Sequence, residues 1–348
     1  MAKIALELDR ALIRRTTDGV AGKTDVRLLA RGDGWKVEDV ICTCGPSDRS
    51  FEERHAGVTI AIVTAGSFQY RASLPAGGSR SRGELMTPGS LVLGNAGQSF
   101  ECGHDHSSGD RCLSFWYAAD YFERIAADIG PGQDGTNFRI LRLPPLRAFS
   151  PLIARAVAGM MLSQAGNGIR VQTDPIVHSS EHCWEELGLK LGAAAFELAR
   201  GASTEKFNVP AASIARVTRT LREIERRLCP DYSEPASSQA KLSVGLLAGE
   251  AGLSPFHFLR TFERVTGLTP HQYILRARLR EAAMRLVLTR SRVLDIALDC
   301  GFGDVSNFNR SFRTEFGISP RMFRLKSKQK YGSEECEEAP STDRASAE

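Results

Sequence analysis

No stretch of eighteen apolar residues occurs anywhere in the chain, which excludes an ordinary membrane-spanning helix. The first twenty residues, MAKIALELDRALIRRTTDGV, lack the apolar core and small-residue cleavage site of a secretory signal. The expected compartment is therefore the cytoplasm, with no membrane partner. There the eight cysteines (Cys42, Cys44, Cys102, Cys112, Cys183, Cys229, Cys300 and Cys336) read as thiols or metal ligands rather than disulfides. Paired carboxylates and a nucleophile with an adjacent base are missing too, so the sequence is not read as an enzyme.

What is present is unevenly distributed. The 348 residues suit two or three domains, and the formal charge of +4 conceals a basic block. Residues 1–236 carry 28 basic and 28 acidic side chains, residues 237–330 carry 16 and 7, and residues 331–348 carry 1 and 6. A basic block is either a solvated surface or a footprint for a polyanion. A repeated text lies inside it and decides between them.

From Ala248 the chain reads AGEAGLSPFHFLRTFERVTGLTP, and from Ala297 it reads ALDCGFGDVSNFNRSFRTEFGISP. Ala248, Gly252, Phe258, Arg260, Phe262, Gly267 and Pro270 match Ala297, Gly301, Phe308, Arg310, Phe312, Gly317 and Pro320. In the first copy Ser243 caps a short helix that Gly252 stops, and Ser254 caps a second with Pro255 at its first position and Gly267 at its end. In the second copy Gly301 stops the first helix, and Asp304 or Ser306 caps the next. Each copy reads as a helix-turn-helix. At about 100° per residue, Arg260 and Arg310 lie about 200° from Phe258 and Phe308, so the rings face a core and the arginines face out. Phe256, His257 and Arg264 share the outward face in the first copy, and Ser306, Asn309 and Arg313 in the second. Such a face fits a major groove, where Arg reads guanine and Asn reads adenine. Between the copies, HQYILRARLREAAMRLVLT predicts one connecting helix, which would hold the units in successive groove segments about 34 Å apart.

Residues 211–325, and most specifically DIALDCGFGDVSNFNRSFRTEFGISPRMFR (Asp295–Arg324), resemble the C-terminal domain of the AraC/XylS family of transcriptional regulators. The resemblance implies double-stranded promoter DNA and RNA polymerase as partners. It assigns base contacts to Phe256, Leu259 and Arg260 in the first unit and to Val305, Ser306, Asn309 and Arg310 in the second. Leu259 and Val305 depart from the polar residues often found there and imply apolar contacts. An all-helical bundle with a basic surface is the competing reading.

Residues 35–118 have another texture: short β-rich runs broken by Gly, Pro and Asn, among them LMTPGSLVLGNAG (Leu85–Gly97). They predict a small antiparallel barrel or sandwich and resemble the cupin-like sensor that many members of the family place before the DNA-binding domain. The expected fold class is therefore α+β and multidomain. A cupin-like effector-binding barrel spans 1–140, and a helical dimerisation and linker region spans 141–210. The DNA-binding domain covers 211–328, with helix-turn-helix units at 243–267 and 293–317, and an acidic, disordered tail covers 329–348. Ile176, Leu187, Leu191 and Ala194 predict an apolar seam, and the family resemblance implies that such helices pair two copies into a homodimer. His178 and His182 stand at i, i+4 with Glu181 between them, a spacing that suits a metal less well than a partly exposed helical surface.

The stretch ECGHDHSSGDRC places Cys102, His104 and His106 on one face if it is a strand, with Cys112 returning beside them. Thiolate and imidazole at this spacing suit zinc, and Cys42 and Cys44, in ICTCG, are expected nearby on another strand. A metal-dependent cupin follows its HxH with a glutamate, however, and here Asp110 is the only acid in reach. The leading expectation for the barrel is a small-molecule effector. A zinc or thiol sensor, a metal-dependent cupin enzyme and a DNA alkylation-response protein are the alternatives. The last expects a compact four-cysteine site that these spacings do not match.

Overall fold

The computed structural model describes residues 2–50, 52–73, 83–130, 135–166, 176–202, 209–228 and 242–331, so the acidic tail lies almost wholly outside the described residues. Helix α1 (Ala2–Asp18) precedes β1 (Thr24–Gly32), β2 (Trp35–Cys42), β3 (Glu52–Arg54), β4 (Val58–Gly66), β5 (Phe68–Ala72), β6 (Glu84–Met86), β7 (Leu91–Gly94), β8 (Ser99–Gly103) and β9 (Asp110–Tyr117). Then come α2 (Ala119–Ile129), β10 (Arg142–Leu143), α3 (Ser150–Gly166) and α4 (Ile176–Arg200). The C-terminal part is helical: α5 (Ala211–Leu228), α6 (Val244–Glu250), α7 (Pro255–Thr266), α8 (Pro270–Leu288), α9 (Val293–Asp299), α10 (Val305–Phe316) and α11 (Pro320–Tyr331).

The strands form two antiparallel sheets, ordered β1-β2-β9-β4-β7-β10 and β3-β8-β5-β6. Strand alternation divides their side chains between two environments. In the first sheet Val37, Ile60, Ile62, Leu113, Phe115 and Tyr117 point to one face and pack beneath α1, α2, α3 and α4. Ala61, Val63, Val92 and Cys112 point the other way, toward Phe68, Tyr70 and Met86 of the second sheet. Burial on both faces explains why β4, VTIAIVTAG, is apolar along almost its whole length. The α+β architecture expected from the sequence is present.

The helical cover also corrects one expectation. Leu187 and Leu191 of α4 are buried in the chain's own core, with Ala194 packed against it, and Tyr117 Oη donates to the Gly188 carbonyl at 2.8 Å. The seam expected to pair two copies is therefore already covered within one chain, because the sheet's outer face needs it. The side chains of Ile176, His178 and Glu181 lie outside the described residues, and His182 is exposed.

The first sheet carries one fully buried cation. Arg111 of β9 donates Nε and Nη2 to the two Asp39 carboxylate oxygens of β2, each at 2.8 Å, and Nη1 to Glu7 of α1 at 2.6 Å. Such a bidentate pair satisfies the buried charge, and Arg27, whose Nη2 donates to Asp39 at 3.1 Å, extends it into a network.

Helix α8 joins the two C-terminal units and also docks them on the barrel. Tyr273 and Ile274 enter the core of the first unit, Leu279, Ala282, Ala283 and Leu286 that of the second, and Met284 that of the barrel helices. Arg280 is buried and donates to the Pro88 carbonyl at 3.3 Å. Arg276 donates to the Pro145 carbonyl and pairs with Glu315 at 3.4 Å. Part of the basic block thus holds domains together.

Glu225 of α5 accepts from the Gly66 amide of the barrel at 3.3 Å, beside Arg222, Arg280, Asp9 and Tyr273. Burial raises its pKa to about 7, with Arg222 opposing. The folded state therefore holds a proton that the unfolded chain releases at ordinary carboxylate pH. The stabilisation is complete below that range and fades as pH rises through about 7. The melting temperature of wild type relative to Glu225→Gln should fall between pH 5 and pH 8; parallel pH profiles would contradict this assignment.

Candidate functional site

Helices α7 and α10 are built by the same local devices. Ser254 Oγ caps α7 by accepting from the His257 amide at 3.4 Å, and Asp304 Oδ1 caps α10 by accepting from the Asn307 amide at 2.7 Å, which settles the choice between Asp304 and Ser306. Gly252 and Gly301 make the turns at φ +64° and +81°, and Gly267 and Gly317 end the helices at +79° and +76°, the left-handed region where a side chain is strained. Phe258 and Phe262 lie in one core, and Phe308, Phe312 and Phe316 in the other.

With those rings buried, the opposite faces are set. Phe256, His257, Leu259, Arg260 and Arg264 are exposed on α7, as are Ser306, Asn309, Arg310 and Arg313 on α10, with Val305 half-buried at its first turn. Phe256 is 70% exposed and carries the Arg260 guanidinium 5.7 Å from its ring centre. This i, i+4 contact pre-orients the arginine and holds an apolar ring in water, where it has no partner within the chain's cores. The arrangement presents two short polar faces, each backed by a buried aromatic core and joined through one helix.

The family model for a helix-turn-helix domain matches residues 247–326. The C-terminal domain is thus a helix-turn-helix domain. The chain is similar over 85 residues to the HTH-type transcriptional activator AarP of Providencia stuartii, at 36% identity, covering 24% of this chain and 63% of that protein. It is also similar over 86 residues to the transcriptional regulator Rob of Salmonella typhimurium, at 38% identity, covering 25% of this chain and 30% of that one. Among solved structures, an AraC-type regulator of Chromobacterium violaceum aligns at 28% identity and a TM-score of 0.29, covering 34% of this chain and 98% of that one. The chain thus spans less than two thirds of these curated relatives, and the similarity falls on the helix-turn-helix domain.

Between the two sheets lies a cavity of about 390 Å³, within the range of small-molecule sites. Phe68, Tyr70, Phe100 and Trp116 supply apolar walls. The Trp116 indole N–H is buried without a hydrogen-bond partner among the described residues. His55 stacks on Phe100 at 4.1 Å between ring centres and bonds Tyr70 Oη through Nε2 at 2.6 Å. Burial lowers its pKa to about 4, so the ring is neutral near pH 7.

The stretch ECGHDHSSGDRC is only partly the strand expected. Strand β8 stops at Gly103, and Asp105 and His106 form an exposed turn, because the chain must reverse before β9 begins at Asp110. His106 is therefore separated from His104, which is buried beside Asp110 and Cys42. Cys102 and Cys112 line the same cavity. Asp110, read from the sequence as the only acid in reach, does reach: its Oδ1 lies 2.8 Å from His104 Nε2, and its Oδ2 accepts from Cys112 Sγ at 3.3 Å. Cys42 joins them through the β2–β9 register, which puts it directly opposite Asp110. Burial would lower the pKa of His104, but hydrogen bonds to Asp110 and Cys42 outweigh it and bring it to about 9. Burial raises Cys42, and more strongly Cys102 and Cys112.

The exposed faces generate a direct prediction. If Arg310 reads a base, Arg310→Ala should weaken binding to a preferred duplex by about 1–3 kcal/mol and relax preference at one position. Competition binding against sequence variants measures both. An equal loss on every sequence would place Arg310 on phosphate instead.

Proposed function

We propose that this chain is a sequence-specific DNA-binding transcriptional regulator that responds to an effector through its N-terminal barrel. The observation that carries the reading is the pair of outward polar faces on α7 and α10, held at a fixed relation by α8. Arg260, Asn309 and Arg310 are the base readers in this proposal. Phe256, Leu259, Val305 and Ser306 complete the contact, and His257, Arg264 and Arg313 lie beside the backbone. RNA polymerase is the further partner of a regulator of this type, and the reading contains no catalytic step.

Barrel and DNA-binding domain share a physical route for coupling. Val92 of β7 lines the cavity and pairs with Arg142 of β10. Arg142 donates to the Val265 carbonyl at 3.0 Å and to the Thr266 carbonyl, closing the C-terminal end of α7. A few residues on, Ser150 at the start of α3 donates to Glu315 of α10. One short segment therefore holds both recognition helices. A small molecule that favours one arrangement of β7 and β10 would shift the population able to grip DNA, by no more than its preference between the two arrangements. A homodimer formed through the Leu187–Leu191 seam is not part of this proposal, since that seam is buried.

Lys and Arg neutralising phosphates would supply much of the affinity, so binding should fall steeply with salt. For six to ten phosphate contacts the loss between 50 and 200 mM salt is about 10³–10⁵-fold. Fluorescence anisotropy with a labelled duplex measures it. Salt-independent binding, or no binding to any duplex, would contradict the reading.

A further inference from the structure

The barrel cavity contains a concentration of soft ligands that DNA binding does not require. Four of the six cysteines described as free (Cys42, Cys44, Cys102 and Cys112) line this one cavity, together with His104 and Asp110. We propose that Cys42 Sγ, His104 Nε2 and an Asp110 carboxylate oxygen form a site for zinc(II) at one end of the barrel cavity.

The three side chains come from three chain segments that the fold forces together. Cys42 ends β2 and Asp110 begins β9, directly opposite it in the antiparallel register, both pointing to the cavity side of the first sheet. His104 arrives from the second sheet, one residue beyond the end of β8. Their ligand atoms all lie within 4.8 Å of one another, and all three side chains are buried. Around a tetrahedral zinc, with bonds of about 2.0–2.3 Å, donor atoms stand about 3.3–3.8 Å apart. The cluster therefore needs small rotations, opening the 2.8 Å contact between His104 and Asp110 and drawing Cys42 inward. Thiolate, imidazole and carboxylate together suit zinc better than the all-oxygen cations calcium and magnesium.

The surroundings supply outer-sphere support. The Cys44 amide points at Cys42 Sγ at 3.5 Å, which favours the thiolate, and Cys112 Sγ sits 3.3 Å from the second Asp110 oxygen. The fourth coordination position faces the cavity, where Cys112 or a water would complete the tetrahedron. This ligand set differs from Cys102, His104, His106 and Cys112, the set read from sequence: Cys42 and Asp110 enter and His106 leaves. It stands independently of the DNA-binding reading, since it concerns metal binding alone.

Full-length protein, stripped of metal under reducing conditions, would be titrated with cobalt(II) and then zinc(II) while its absorption spectrum is recorded. The site predicts about one equivalent of cobalt with a near-ultraviolet thiolate-to-cobalt band and intense visible bands of tetrahedral coordination, all removed by one equivalent of zinc. Cys42→Ser should lose the thiolate band and His104→Gln should weaken binding, whereas His106→Gln, on the exposed turn, should match wild type. The proposal is overturned if wild type shows no thiolate band at stoichiometric cobalt, if a folded Cys42→Ser variant retains it, or if His106→Gln abolishes it. The wild-type spectrum decides the matter even should Cys42→Ser not fold.

Discussion

The burial of Phe258 and Phe308 fixes the rotational phase of α7 and α10, and with it every side chain that reaches outward. A helix turns by about 100° per residue, so a ring held in the core leaves residues two positions on facing solvent. Phe262 and Phe312, one turn later, hold the same phase. Truncating any of these rings to alanine would cost about 3–5 kcal/mol and release the phase with the packing. The caps at Ser254 and Asp304 and the left-handed glycines then fix where each helix begins and ends, so that the outward residues fall near the N-terminal turns.

The same constraint acts at the next level through α8. That helix has no free apolar stripe because its surface is divided among the first unit, the second unit and the barrel side. Two of its arginines, Arg276 and Arg280, accordingly serve as domain fasteners, reaching the Pro145 carbonyl just beyond β10 and the Pro88 carbonyl of the barrel. The basic excess of the C-terminal region is thus split between binding within the chain and charge facing outward. Arg142 and Ser150 complete the arrangement by anchoring α7 and α10 to a segment that leaves the barrel at β10. The positions of the two outward faces are therefore tied to the barrel as well as to each other.

Much of the C-terminal domain was legible because its signals are local. Ser243, Ser254, Pro255, Gly252, Gly267, Gly301 and Gly317 each act within a few residues, and the doubled phenylalanine spacing repeats the message. The barrel was legible only in outline, since strand order and the covering of its outer face depend on partners far along the chain. Helices α1 and α2 carried no signal that separated them from their neighbours, and the α4 seam looked free because the sheet that buries it is remote in sequence. Strand parity pointed correctly to the inward face of Cys102 and Cys112, but it failed at His106, where a turn ends the alternation. Cys42 was visible as a nearby thiol, and only the β2–β9 register shows that it stands opposite Asp110.

The central claim is that two reading heads act on one duplex at a separation set by α8. Selection of bound fragments from a random duplex pool by the full-length protein tests this most directly. The account predicts an asymmetric motif of two blocks centred about one helical turn apart, with the spacing between them fixed. A single short block, a symmetric motif, or two blocks at freely variable spacing would contradict it.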